Sequence, residues 1–244
     1  MGRVGWVPWA LFIVAVPVFL ITASVTWAFN SPSLYNDGFE KYSISRISGI
    51  TDSGLRRVGA DIRSYINSGD EQLNVQTKIL GEERALFNDR ELAHMKDVKQ
   101  LVRGVYVLAL ASAVYLAVMT SIGFAMQRGR FLALFAKRLA WGGGLTLVLL
   151  VVFGAVASVG FDSVFLRFHQ LSFANDFWQL DPQTDYLVRI FPQDFWFDAT
   201  LWVAVRAIAG ALLLTVASSA FLVCQRYTGW QRPLNGLESA RDLN

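Results

Sequence analysis

Four apolar stretches divide the chain. Residues 8–29, 104–126 and 140–160 carry no charge, and 200–224 carries only Arg206. Each supplies the ~20 apolar residues that a helix needs to cross ~30 Å of hydrocarbon. Trp9 and Trp27 lie near the ends of the first stretch, as interfacial anchors do, and Gly142, Gly143 and Gly144 in the third allow close helix packing. The first stretch is too long for a cleavable signal core, and Ala28-Phe29-Asn30 is a poor cleavage site, so it is expected to remain as an uncleaved signal anchor. The polar remainder falls into a region 30–103, a connection 127–139, an aromatic segment 161–199 and a tail 225–244.

The region 30–103 has soluble character and its own periodicities. In 51–66, Leu55, Val58, Ile62, Tyr65 and Ile66 recur on one helical face behind a capping Thr51 or Asp52, with Gly69 as the stop. Residues 75–87 form short β-favouring pieces around Gly81 and predict a hairpin. Asn88 or Asp89 then caps a helix carrying ELAHMKDVKQLV, which runs on without a break into the second apolar stretch. The expected fold is mainly α, a polytopic membrane protein with four transmembrane helices and a small extracytoplasmic α+β head.

Composition agrees: 54% of the 244 residues are apolar and 17% charged, too apolar for an ordinary soluble domain. The net charge of +3 includes no basic tract suited to a phosphate backbone, which sets nucleic acid aside as a partner. A single cysteine, Cys224, excludes an internal disulfide and a thiolate zinc cluster. Short polar segments set orientation: Arg128, Arg130, Lys137 and Arg138 crowd the 127–139 connection, with Arg226 and Arg232 in the tail, against Arg167 and Arg189 in the aromatic segment. Both termini are therefore expected in the cytoplasm, and the head and aromatic segment outside.

Candidate chemistry gathers on that outer side. The aromatic segment holds His169, Asn175, Trp178, Asp181, Asp185 and Asp198. The second histidine, His94, precedes position 104 by ten residues, and His169 follows position 160 by nine. At helical rise both imidazoles stand roughly 14 Å outside the hydrocarbon, near the headgroups. A structural pair bonded to carbonyls or carboxylates and a functional acid/base pair are both compatible with this placement. Asp97 lies one turn from His94 and would either fix its tautomer or pair with Arg90 or Lys96. Asp181 before Pro182 reads as a helix cap, and Asp185, Asp194 and Asp198 suit helix N-termini. Arg206 either snorkels outward, toward the headgroups or Asp198, or holds a lipid phosphate or ester carbonyl; Trp196 is an interfacial anchor or a lipid contact. Two histidines and a carboxylate also form a known zinc set, although the HExxH spacing is absent. A scaffold that binds a secreted partner through its head is the non-catalytic alternative.

Three longer strings narrow these readings: YNDGFEKY at 35–42, LFNDRELAHMKDVKQLV at 86–102 and FHQLSFANDFWQLDPQTDYLVRIFPQDFW at 168–196. With them, nearly the whole chain resembles the four-span bacterial membrane proteins that include lipoprotein intramolecular transacylase. The resemblance departs at Gln193, where the family pattern is FPE. It implies an essential histidine pair at His94 and His169 and a diacylated lipoprotein as substrate, held among membrane lipids. The implied reaction moves the sn-2 acyl chain of the glyceryl group to the amino group of the N-terminal cysteine, giving the lyso-form. A different lipid-modifying reaction on the same fold stays open. No metal or other cofactor is implied, and no GxSxG elbow offers a serine nucleophile.

Overall fold

The computed structural model describes residues 6–127 and 131–241, with side chains described for 6–126 and 131–227. Arg128 and Arg130, and the side chain of Arg232, which entered the orientation argument, lie outside these. The order is α1 (Trp6–Asn30), α2 (Pro32–Lys41), α3 (Ile44–Ser48), α4 (Asp52–Asn67), β1 (Gln76–Ile79), β2 (Glu82–Ala85), α5 (Asp89–Gln127), α6 (Phe131–Val159), α7 (Phe161–Ser172), α8 (Tyr186–Ile190) and α9 (Gln193–Arg241). Helices α1, α5, α6 and α9 are long and apolar enough to cross a membrane, as the hydrophobic pattern requires. Their bounds differ from the apolar runs. Helix α6 already begins at Phe131, so Lys137 and Arg138 lie within a helix, and α9 begins at Gln193, seven residues before the fourth apolar run.

Contacts group the chain into two compact units. One comprises residues 1–20, 110–151 and 207–244. Its apolar cluster is built on Trp9, Phe12, Val16, Met119 and Phe131. The Tyr115 hydroxyl donates to the Pro8 carbonyl (2.7 Å), and the Arg138 guanidinium lies 3.4 Å from the Trp9 ring centroid. The glycine run closes this packing: a Cβ on Gly142 would fall 2.6 Å from Val16 Cβ, and one on Gly143 would fall 2.8 Å from the Ala211 carbonyl oxygen.

The other unit, residues 21–109 and 152–206, contains the head and both histidines. All five stripe residues of α4 are buried, and Thr51 Oγ1 caps the helix by accepting from Gly54 N (3.2 Å). The expected hairpin forms with Gln76 opposite Ala85 and Ile79 opposite Glu82. Its two turn residues, Leu80 and Gly81, both have positive φ (53° and 94°), the geometry that matches strand twist across a two-residue connection.

Two of the sequence strings meet in this core. Tyr35 and Phe39 from α2 pack on Phe191 and Phe195, with Tyr35–Phe191 ring centroids 5.9 Å apart and Phe39–Phe191 5.6 Å. The Tyr42 hydroxyl donates to Asp198 Oδ2 (2.7 Å), which also receives Lys41 Nζ (2.5 Å). Gly38 is required by the same contact, since a Cβ there would stand 2.5 Å from the Phe195 ring. Gly38→Val is therefore expected to cost about 1–3 kcal/mol through overpacking, read as a lowered Tm of the detergent-solubilised protein. A Tm equal to that of the parent would show that the ring yields freely.

Candidate active site

Helix α5 is 39 residues long. At 1.5 Å per residue it extends to nearly 60 Å, about twice the hydrocarbon thickness, so it is longer than the span and its first turns, which carry His94, precede the apolar run. Asn88 starts the helix through a reciprocal cap: Asn88 Oδ1 accepts from Glu91 N (3.1 Å), and Glu91 Oε2 accepts from Asn88 N (2.8 Å). Helix α7 follows α6 after a single residue, Gly160, and presents His169 near its end. The aromatic segment is therefore partly helical.

The two imidazoles face each other with ring centroids 6.0 Å apart and an interplanar angle of 34°. Both are buried, His94 at 6% and His169 at 9% exposure. Aromatic rings line the space. Phe173 meets His94 edge-on at 5.0 Å, while Phe165, Phe168 and Trp178 stand 4.3, 5.4 and 5.3 Å from His169. His169 Nδ1 lies 2.8 Å from the Phe165 carbonyl oxygen. A carbonyl only accepts, so Nδ1 carries the proton of the neutral ring and Nε2 keeps its lone pair. His94 Nδ1 is buried and has no hydrogen-bond partner.

Electrostatics follow from this dry setting. Burial first, and the neighbouring His169 second, bring the His94 imidazole down to about 4, with the Asp97 charge only partly opposing them. Burial likewise lowers His169, against the hydrogen bond to Phe165. Both rings are therefore neutral at pH 7, and repulsion disfavours protonating both together. Protonation disfavours the folded state, so their stability contribution is complete above the ordinary value of ~6.5 and falls as pH drops toward 4. The chain has only two histidines. Nitrogen-15 histidine NMR is expected to show His94 half-protonated near pH 4 and His169 in the Nδ1–H form at neutrality. A His94 midpoint at ~6.5 would contradict a dry pair.

Asp97 and Asp181 take roles different from those expected. Asp97 Oδ2 accepts from Asn175 Nδ2 (2.8 Å), and Asn175 Oδ1 accepts from Phe177 N (3.1 Å). Asp97 thus anchors the loop carrying Trp178 and acts on His94 through charge. Asp181 does not begin a helix; its Oδ1 accepts from Gln183 N (2.8 Å) and shapes a turn at Pro182. Asp185 precedes α8, and its carboxylate accepts from Asp181 N (2.7 Å) and Asn88 Nδ2 (2.9 Å). Burial raises its pKa, but these bonds, with Thr184 and the Arg90 charge, outweigh that and leave it lowered. Glu91, which the sequence reading did not single out, completes the join: Oε1 accepts from Leu187 N (2.6 Å), and the side chain is only 1% exposed. Its signal was the N-x-x-E spacing of a capping box.

Arg206 and Trp196 lie on other contacts. The Arg206 guanidinium is 3.7 Å from the Trp27 ring centroid, and Trp27 stacks on Trp202 at 5.4 Å. Asp198, the alternative partner for Arg206, is engaged by Lys41 and Tyr42. Trp196 packs against Phe29, Phe191 and Phe195 on the head core. Among the described residues, no three His, Cys, Asp or Glu side chains gather as a metal-binding group.

A protein of Aquifex aeolicus (strain VF5), described as uncharacterized, is 31% identical over 132 residues, 52% of this chain. The match spans about half of that relative, 54% of its length. The in meso structure of the membrane integral lipoprotein intramolecular transacylase Lit from Bacillus cereus superposes with a TM-score of 0.76 at 18% identity, covering 91% of this chain and 97% of that one. A form of the same protein with a histidine replaced by arginine gives 0.72 at 17% identity, covering 91% and 93%. At these identities the likeness is one of fold. The family model for lipoprotein intramolecular transacylase Lit matches residues 10–196, a span that includes both histidines, and the chain belongs to that family.

Proposed function

We propose that this chain is an intramembrane acyltransferase that moves the sn-2 acyl chain of a diacylglyceryl lipoprotein to the amino group of its N-terminal cysteine. The observation that carries this reading is the buried histidine pair 6.0 Å apart, within reach of one reacting carbon. The cysteine amine attacks the ester carbonyl carbon, and the bond from that carbon to the glyceryl oxygen breaks. His169 Nε2, whose lone pair is left free by the bond at Nδ1, takes the amine proton. The same proton equivalent passes from the histidine pair to the departing glyceryl oxygen. The products are an amide and a free glyceryl hydroxyl, with no water consumed.

Two further features support transfer over hydrolysis. The shell of Phe165, Phe168, Phe173 and Trp178 leaves both rings at most 9% exposed, which keeps water from the carbonyl. Amine and ester also belong to one anchored molecule, so the protein need mainly hold a reactive conformer. Expression in cells that make diacylated lipoprotein, followed by mass analysis of N-terminal lipopeptides, is expected to give N-acylated, lyso-glyceryl products. Unchanged acyl positions would sink the assignment.

The reading includes an outward-facing site with both termini in the cytoplasm, supported by Lys137, Arg138 and Arg226 among the short polar segments. A cysteine at Lys78 in the head hairpin should react with an impermeant reagent from outside intact cells; protection there with labelling only after lysis would reverse the orientation.

A further inference from the structure

Helix α7 does more than carry His169. At ~100° per residue, Val164, Phe168 and Leu171 share one flank, Phe165 and His169 turn inward, and Asp162, Ser163, Arg167 and Gln170 fall on the remaining arc, which is polar apart from Leu166. The apolar flank is open: Leu171 is 87% exposed and Phe168 48%, and Phe177 beyond the helix is 44% exposed. Its continuity says what covers it. One residue upstream, the last turns of membrane-crossing α6 display Val152, Val156 and Val159 at 59%, 56% and 90% exposure, positions whose surroundings in a spanning helix are lipid.

We propose that α7 is an interfacial helix whose Val164–Phe168–Leu171 flank is immersed in the acyl-chain region of the outer leaflet, and that Phe168 is the wall between that lipid and the histidine pair. Phe168 qualifies because it faces both ways. Its ring is half exposed on the lipid flank and meets His169 edge-on at 5.4 Å and Phe173 at 6.4 Å. An acyl ester therefore enters sideways from the bilayer past Phe168, without leaving the membrane for water. An apolar flank with a mostly polar remaining arc is the design of a helix lying in the interface plane. The entry route rests on the acyl-transfer reading; the immersion of α7 does not.

The test separates the two. Cys224 is the only cysteine, so C224S gives a background for single spin labels at Leu171, Gln170 and Lys78 in phosphatidylcholine–phosphatidylglycerol nanodiscs. Immersion predicts that oxygen collides with the label at Leu171 at least about threefold more, relative to a water-soluble nickel chelate, than with those at Gln170 and Lys78. Equal ratios at Leu171 and Gln170 would overturn the proposal, whatever the enzyme does. For the route, Leu171→Glu is expected to raise KM for a diacylglyceryl lipopeptide about tenfold while kcat stays within about twofold, because a charge is placed in the lipid flank and the dyad is untouched. An unchanged KM would overturn the lateral path. Absence of any transfer by the parent, with the labels as predicted, would instead remove the acyl-transfer reading alone.

Discussion

Replacing His169 by alanine is expected to lower acyl transfer at least about 10³-fold, and His94→Ala is expected to do the same. In the proposed mechanism His169 supplies the free Nε2 base, because its Nδ1 proton is committed to the Phe165 carbonyl 2.8 Å away. His94 shares the buried space, and in that mechanism also the proton, so losing either ring would break the same step. The double variant should be scarcely worse than either single one, as expected of groups that act as a unit. Rates on a synthetic diacylglyceryl lipopeptide in nanodiscs, with thermal unfolding as the control for folding, check this. Folded single variants that retain full activity would remove that histidine from the mechanism. His94→Gln, which preserves polar volume, should be equally inactive; recovered activity there would point to a structural role.

The next largest effect is expected at Glu91. Its carboxylate receives Asn88 N and Leu187 N, holding the first turn of α5 to the start of α8 while almost wholly buried. Burial raises its pKa, the hydrogen bonds from Asn88, Leu187 and Tyr186 oppose that, and the Asp185 charge adds to the rise. Glu91→Ala strands two backbone donors and opens a cavity, a loss of about 3–5 kcal/mol visible as a markedly lowered Tm. Glu91→Gln should recover only part, because its NH2 would face a backbone N–H where an acceptor is needed. A Tm unchanged in Glu91→Ala would show that the join does not hold the head together.

Much of this architecture is legible in the sequence because it depends on local chemistry. The apolar runs mark the spanning helices, the period of Leu55, Val58, Ile62 and Tyr65 marks α4, and Gly81 marks the hairpin turn. The histidine pair is legible too, as both residues sit at matched distances from span ends. What escapes is the choice among partners separated by many residues. Asp97 is one turn from His94, yet it bonds Asn175, 78 positions away. Asp181 beside Pro182 has the composition of a helix start, but Asp185 captures its backbone N–H and the segment closes as a turn. Helix α7 escapes for another reason: its apolar residues serve the dyad on one side and an open flank on the other, so no single hydrophobic stripe declares it.

Gln193, where the resemblance implies a glutamate, makes a contact that suits an amide. Its Nε2 donates to Asp162 Oδ1 at 2.6 Å, joining the start of α9 to the start of α7. A glutamate there would set two carboxylates against each other. The amide therefore suits this chain, and it ties the helix bearing His169 to the head.

The most direct test of acyl transfer by the histidine pair is a crossover experiment. A lipopeptide labelled with carbon-13 in its sn-2 acyl chain and with nitrogen-15 in its peptide is mixed with an unlabelled one and given to the protein in nanodiscs. The prediction is that the heavy acyl chain appears as an amide on the heavy peptide only, and that His169→Ala stops its appearance. Heavy acyl chain released as free fatty acid, or found on light peptide, would contradict intramolecular transfer within a shielded site.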